Sequence, residues 1–196
     1  MKNKVLMGLA TLMMVAFLSS CGKAPQAEID AVNAAIEAAK AAEAAVYVPA
    51  EFAAVQDSMN AIMAEVEAQN GKLLKKFGPV EMKLESALAL AGQVAANAGV
   101  KKEEVKNEVG TLMTAIATVV EENKTLITKA PRGKEGAAVL EQIKTEMATI
   151  EASIAEAQGM FDNGAFMDAL NKVKAAKESA DGINTELKDA IAKVSR

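Results

Sequence analysis

The sequence predicts an all-α protein, an elongated and largely antiparallel helical bundle of coiled-coil hairpins with five or six helices. Three observations predict it. Apolar residues recur at alternating steps of three and four, most regularly at Val105, Val109, Leu112, Ile116, Val119, Asn123 and Leu126, and that spacing lines one face of a helix. Alanine fills many seam positions, which lets neighbouring helices approach closely. The seams stop only at short stretches carrying Pro or Gly, at Pro49, Gly78-Pro79, Pro131-Arg132-Gly133 and Asn163-Gly164, so the chain reads as helices joined by turns. Composition narrows the chemistry further. With no His, one Cys and 3% aromatic residues, the chain has no Ser-His-Asp or Cys-His set, no His-ligated zinc and no disulfide framework.

In chain order, Met1-Lys2-Asn3-Lys4 is a basic start, and residues 5–18 are an apolar run interrupted only by Gly8 and Thr11. That is the outline of a secretion signal. As a helix the run spans about 21 Å, short of the ~30 Å hydrocarbon core, so it is not expected to persist as a transmembrane helix. It ends in Leu18-Ser19-Ser20-Cys21, which resembles the lipobox of bacterial lipoproteins. The resemblance implies cleavage between Ser20 and Cys21 and lipidation of the Cys21 thiol, which becomes the mature N-terminus. A thiol is the best soft nucleophile for accepting a lipid group, and two or three acyl chains at ~0.8 kcal/mol per buried methylene hold the protein on a membrane. Gly22 stands where the lipoprotein sorting rule reads an Asp as inner-membrane retention, and no acidic cluster follows. The resemblance therefore implies attachment to the outer membrane with the body facing the periplasm. The expected organisation is a signal peptide at 1–20, a lipidated tether at 21–26 and a helical domain at 27–196. Loss of Lys2 and Lys4 moves the net charge from −4 to −6, which makes nucleic acid a poor partner.

Residues 27–45 include 10 alanines and form a strong helix, with Ile29, Val32, Ile36, Ala39 and Val46 as its stripe. Pro49 disfavours helix at Val48 and suits the first turn of the next helix, so the first helix ends at Tyr47-Val48-Pro49. The second helix carries Phe52, Val55, Met59, Ile62, Val66 and Leu73, and is expected to run to Lys76 before Phe77-Gly78-Pro79 breaks it. The third carries Val80, Leu84, Leu88, Ala91 and Val94. At Gly99 two outcomes stand: a helix cap with Val100 folding back, or an unbroken helix over residues 79–129, roughly 76 Å long. Asn123 is the one polar member of the following seam, either a buried register-setting residue or a solvated one. The stretch from 130 to 136 is a loop without the Gly-x-x-x-x-Gly-Lys-Ser/Thr pattern of a phosphate site. A fourth helix sets Leu140, Ile143, Met147, Ile150, Ile154, Ala157 and Phe161 on a seam. Asp162-Asn163-Gly164 turns the chain into a last helix with Val173, Ala176, Ala180, Ile183, Leu187, Ala190 and Val194 in line.

A shift of 84 aligns Ala53-Ala54-Val55 with Ala137-Ala138-Val139, Met63-Ala64 with Met147-Ala148, Glu67-Ala68 with Glu151-Ala152, and Phe77 with Phe161. Residues 53–77 thus echo residues 137–161, as a duplicated helical hairpin would, although two Ala-rich helices in heptad phase also coincide in part. The Ala-rich helix followed by Tyr47-Val48-Pro49-Ala50-Glu51-Phe52, together with Phe161-Asp162-Asn163-Gly164-Ala165-Phe166, is similar to a family of uncharacterised Ala-rich helical-hairpin envelope lipoproteins. The similarity covers roughly residues 27–70 and 140–190. It implies helical hairpins on a lipid anchor and no particular activity.

Candidate acidic pairs are Glu103-Glu104 with Glu108, and Glu121-Glu122. They lie opposite the apolar seam among Lys101, Lys102, Lys106 and Lys124, where a solvated helix face is the expected role rather than acid/base catalysis. Carboxylates one turn apart do not supply the six or more oxygens that Ca²⁺ takes, so neither metal nor cofactor is expected. Tyr47 is expected to plug a hairpin, and Phe52, Phe77, Phe161 and Phe166 to close bundle ends. The expected function is a non-catalytic, membrane-anchored envelope lipoprotein acting as a helical spacer, scaffold or protein-binding module with an envelope protein as partner. The rival is a periplasmic carrier of a lipid or apolar peptide between helices, which would need a continuous cavity lined by Met, Leu and Phe.

Overall fold

The computed structural model describes residues 23–194, and among them the fold is all-α. The helices are α1 (Gln26–Ala41), α2 (Ala44–Tyr47), α3 (Pro49–Asn70), α4 (Gly78–Lys129), α5 (Lys134–Asp162) and α6 (Phe166–Val194). The spine is α4, whose 52 residues span about 78 Å at 1.5 Å per residue. Its first half buries Val80, Leu84, Ala87, Ala91, Val94 and Ala98 against α1 and α3. Its second half buries Val105, Val109, Ile116 and Val120 against α5 and α6.

The directions follow from which side chains share a cluster. Ile29 and Val32 of α1 meet Phe77, Val80 and Leu84, while Ala39 and Ala44 meet Ala91, Val94 and Ala98, so α1 runs parallel to α4. Met59, Ile62 and Val66 join the first group and Phe52 and Val55 the second, so α3 runs the opposite way. In the other half Lys174 and Lys188 of α6 pair with Glu108 and Glu122 at 2.7 and 2.8 Å, which sets α6 parallel to α4 in one register. Glu151 of α5 reaches Lys124 at 2.9 Å and Glu156 pairs with Lys172, so α5 descends. The result is two up-down-up bundles strung end to end on one helix, with consecutive long helices antiparallel.

At Gly99 the helix passes straight through, and Val100 lies on the exposed outer face rather than folding back. Gly92, Gly99 and Gly110 all have open space where a Cβ would stand. Each costs roughly 1 kcal/mol of helix stability against Ala. The buried valines at 94, 105 and 109 contribute about 1.5–3 kcal/mol apiece and outweigh that cost, so the helix holds.

Two boundaries differ from the sequence reading. The first helix stops at Ala41, not at Tyr47, because Glu43 adopts the left-handed conformation at φ 59°. Its N–H donates to the Lys40 carbonyl (2.9 Å), and its own carbonyl accepts the N–H groups of Val46 (2.9 Å) and Tyr47 (3.1 Å) to start α2. An L-residue there costs about 1–2 kcal/mol, which burial of Ala44 and Tyr47 offsets. Val46, expected on the stripe, is exposed as a result. The second helix stops at Asn70, not Lys76, and Leu73, expected on the seam, is fully exposed. Asn70 and Gly71 are weak helix formers, and Phe77 can enter the core beside Val66 and Val80 only if the chain turns first. The Gln69 side-chain oxygen holds that turn by accepting the Lys76 N–H (3.4 Å).

The remaining turns follow their local chemistry. Pro49 and Pro79 sit in the first turns of α3 and α4, where a missing N–H costs nothing. Gly164 at φ 80° ends α5 with the paired bonds Ala165 N–H to Met160 carbonyl (2.9 Å) and Gly164 N–H to Phe161 carbonyl (3.0 Å), a Schellman motif. At the start of α5 a Cβ on Gly136 would lie 2.5 Å from the Pro131 carbonyl oxygen, so only Gly lets that turn close. Among the described residues no helix is long and apolar enough to cross a membrane.

A continuous α4 makes a signed prediction. Gly99→Ala is expected to stabilise the protein by up to about 1 kcal/mol in urea unfolding, because the added methyl meets nothing and Ala is the better helix former. Destabilisation by that substitution would mean that residue 99 adopts a conformation only Gly tolerates.

Candidate functional site: the junction between bundles and a groove on one of them

Halfway along α4 the inward face changes partners, and the position between Ala98 and Val105 on that face is Lys102. Its ammonium pairs with Glu43 at 2.6 Å and stands 5.8 Å from the Tyr47 ring centre and 5.9 Å from that of Phe166. Lys106 lies 5.7 Å from the same Phe166 ring, which packs on Phe161 with centroids 5.1 Å apart. These distances are in the range of cation–π attraction. Tyr47 belongs to the first bundle's hairpin, which it is expected to plug, yet it packs into the hydrophobic cluster of the second and closes the end of that bundle instead. The α1–α2 and α5–α6 turns face each other across a crevice of about 280 Å³ lined by Glu43, Val46, Tyr47, Phe166, Met167 and Asp168.

Electrostatics here follow from burial for Tyr47 and from the ion pair for Lys102. The Tyr47 hydroxyl is pushed above the ordinary phenol value, first by desolvation and then by the Glu43 carboxylate, with Lys102 opposing. Lys102 is also raised, chiefly by its hydrogen bond to Glu43.

The candidate acidic pairs are dispersed over an outer surface. Glu103 pairs with Lys106 (3.8 Å), Glu104 with Lys101 (3.0 Å) and Glu108 with Lys174. Glu121 pairs with Lys124 (2.8 Å) and Glu122 with Lys188. Glu122 is lowered below the usual carboxylate value by its hydrogen bond from Lys188, with Asn184 contributing. A carboxylate held ionised by a lysine is the opposite of a general acid. Among the described residues no three acidic or thiol groups cluster as a metal site would need.

Asn123 is fully buried, which decides between its two readings. Its amide donates to the Ala180 carbonyl (2.8 Å), and its oxygen accepts the Asn184 amide (2.8 Å). A buried amide with both ends satisfied contributes little net energy but costs about 1–3 kcal/mol if the helices slip and leave it unpaired, so it fixes the register of α4 against α6.

One concave surface has no signature in the sequence. A groove of about 510 Å³ runs on the outside between α3 and α4, walled by Ser58, Ala61, Glu65, Met82, Lys83 and Leu90. Glu65 and Lys83 bridge it as an ion pair. Met82 and Leu90 are exposed at a spacing of eight, so helical periodicity places them on one face without showing that a neighbour leaves them open. No Phe lines it. The expected signal peptide at 1–20, Ser20 and Cys21 lie outside the described residues. No protein-family model, curated protein or solved structure matches the chain.

The junction sets an alkaline limit. Tyr47 and Lys102 both have folded-state pKa values above their unfolded ones, so their contributions are complete below the unfolded values and fade as pH rises through the folded ones. The contribution of this pair is therefore expected to be constant up to about the phenol value of 10.0 and to fall beyond it. Tyr47 is the only tyrosine, so its phenolate absorbance reports this directly. The native transition should come at higher pH than in urea; coincident transitions would contradict a buried, anion-facing Tyr47.

Proposed function

We propose that this chain is a lipid-anchored rod of the bacterial outer membrane, facing the periplasm, which acts as a non-catalytic spacer or scaffold for another envelope protein. One observation carries the reading. The described chain begins at the pole where α3 turns into α4, since Ala24 packs on the cluster of Val66, Phe77 and Val80. The α4–α5 turn lies at the other end of α4, about 78 Å away. Tethering at Cys21 would hold the far pole well off a membrane. The lysine-paired carboxylates support a non-catalytic reading, and the net negative charge supports a partner other than nucleic acid. The echo of residues 53–77 in 137–161 fits duplication of a bundle unit, since both segments fall largely in descending helices, α3 and α5.

The carrier reading draws on the α3/α4 groove. Its lining is partly apolar and its size suits an acyl chain or a short apolar peptide. Under it, a lipid beyond the N-terminal acyl chains would co-purify with the wild type and be missing from Leu90→Glu.

The anchor has a direct test. Wild-type protein is expected to incorporate labelled palmitate and partition with membranes, and Cys21→Ser to lose the label and become extractable. Labelling that survives Cys21→Ser would overturn the anchor.

A further inference from the structure

The turn between α3 and α4 reads Gly71-Lys72-Leu73-Leu74-Lys75-Lys76. Leu73 is 100% exposed and Leu74 79%. Two adjacent leucines at a loop tip are unusual for a protein that buries Leu84 and Leu187 almost completely. The exposure does not come from a loose loop. Phe77 is buried immediately after it, and Gln69 accepts two N–H groups from it, Lys72 (3.1 Å) on its backbone carbonyl and Lys76 on its side chain. The turn is thus held with both leucines pointing away from the bundle.

The charges within the turn are one-sided. Lys72, Lys75 and Lys76 are all exposed, make no ion pair among the described residues, and share this pole with Lys23. The turn itself holds no acid; the nearest ones, Glu28 and Glu81 in the first turns of α1 and α4 and Glu67 in the last turn of α3, stand behind it on the helix ends of the same pole. In a chain of net charge −4 the tip of the turn is locally positive, with the acids of this pole set back on the helix ends. Exposed leucines ringed by lysines are the chemistry of a segment that dips into an anionic bilayer surface: the apolar side chains enter the acyl boundary and the ammonium groups meet head-group phosphates.

Its position fits the same occupant. The chain enters the bundle at this pole, and Cys21 lies three residues before Ala24, so the attachment point of a lipid on Cys21 can be no more than about 11 Å of chain from where Ala24 packs. The far pole has no comparable pair of leucines in its turn, Ala130-Pro131-Arg132-Gly133.

We infer that the Lys72–Lys76 turn is a second membrane contact, inserting Leu73 and Leu74 into a bilayer containing anionic lipid and standing the rod on its α3–α4 pole. This rests on the anchoring reading for its geometry, but its chemistry belongs to the loop.

The experiment uses the processed full chain carrying Leu73→Cys. A lipidated Cys21 has no free thiol, so a nitroxide label goes to residue 73 alone. In vesicles of phosphatidylethanolamine and phosphatidylglycerol, the label is expected to be accessible to oxygen and shielded from a water-soluble nickel chelate. A label at Val139→Cys, near the far pole, is expected to stay open to the chelate. Replacing Lys72, Lys75 and Lys76 by Gln should reduce the insertion equilibrium constant, the ratio of inserted to free residue 73, by about fivefold for each lysine replaced, and vesicles of phosphatidylcholine alone should reduce it in the same direction. A label at 73 as open to the chelate as one at 139 would overturn the inference. So would a label that is wet in pure lipid yet immobilised in native membranes, which would indicate a protein partner. If the processed chain proves to carry no lipid, the anchor fails on its own. The same labelled protein, with Cys21→Ser, is then mixed with the anionic vesicles, where insertion of residue 73 sustains the inference and its absence refutes it.

Discussion

The helical continuity of α4 across residues 98–105 is the constraint on which the other contacts depend. Upstream of it α4 offers its apolar face to α1 and α3, and downstream to α5 and α6. Neither set of partners touches the other along its length. A bend at Gly99 would separate the two cores and expose Tyr47, whose ring fills the end of the second bundle from the hairpin of the first. The opposing energies are unequal. Three glycines on the outer face cost roughly 1 kcal/mol each, while the buried residues on both sides supply several times that.

Hydrophobic seams alone leave a rod of this kind free to slip, because alanine-rich faces match in more than one register. Polar contacts remove that freedom. Asn123 is satisfied only when Ala180 and Asn184 stand where they do. The Glu108–Lys174 and Glu122–Lys188 pairs repeat the same offset two heptads apart. Such exposed pairs contribute at most about 1 kcal/mol each, so their effect is on alignment more than on stability. At the junction, Glu43 accepts a strained backbone and in return presents its carboxylate to Lys102. The proposed spacer role needs this kind of specification, since a rod transmits position only if it does not slide or fold on itself.

Much of the fold is legible in the sequence, for physical reasons that also mark the limit. The heptad seams of α4, α5 and α6 locate the core because a long helix must bury whatever stripe it carries. The strict repeat points to Val119 where Val120 is the buried residue: seven-residue steps drift against 3.6 residues per turn. The break at Glu43 carries no Gly or Pro, so nothing local announces it. The spacing of Leu73 points to the core, although Gly71 stands in between and ends the helix first. The junction is illegible because Tyr47, Lys102 and Phe166 belong to three distant segments, and no local pattern says that an inward-facing lysine marks a change of partners. The groove escapes for a related reason, since periodicity identifies an apolar face but not the neighbour that leaves part of it open.

The central claim, one unbroken helix holding two bundles in line, has a direct measurement. In a Cys21→Ser chain, spin labels at Met82→Cys and Thr118→Cys, both on exposed positions of α4, bracket Gly99. Double electron–electron resonance is expected to give a narrow distribution centred near about 54 Å, the rise of a straight helix between those positions. A markedly shorter or broad distribution would contradict the account, because a chain that bends at Gly99 brings the two labels together.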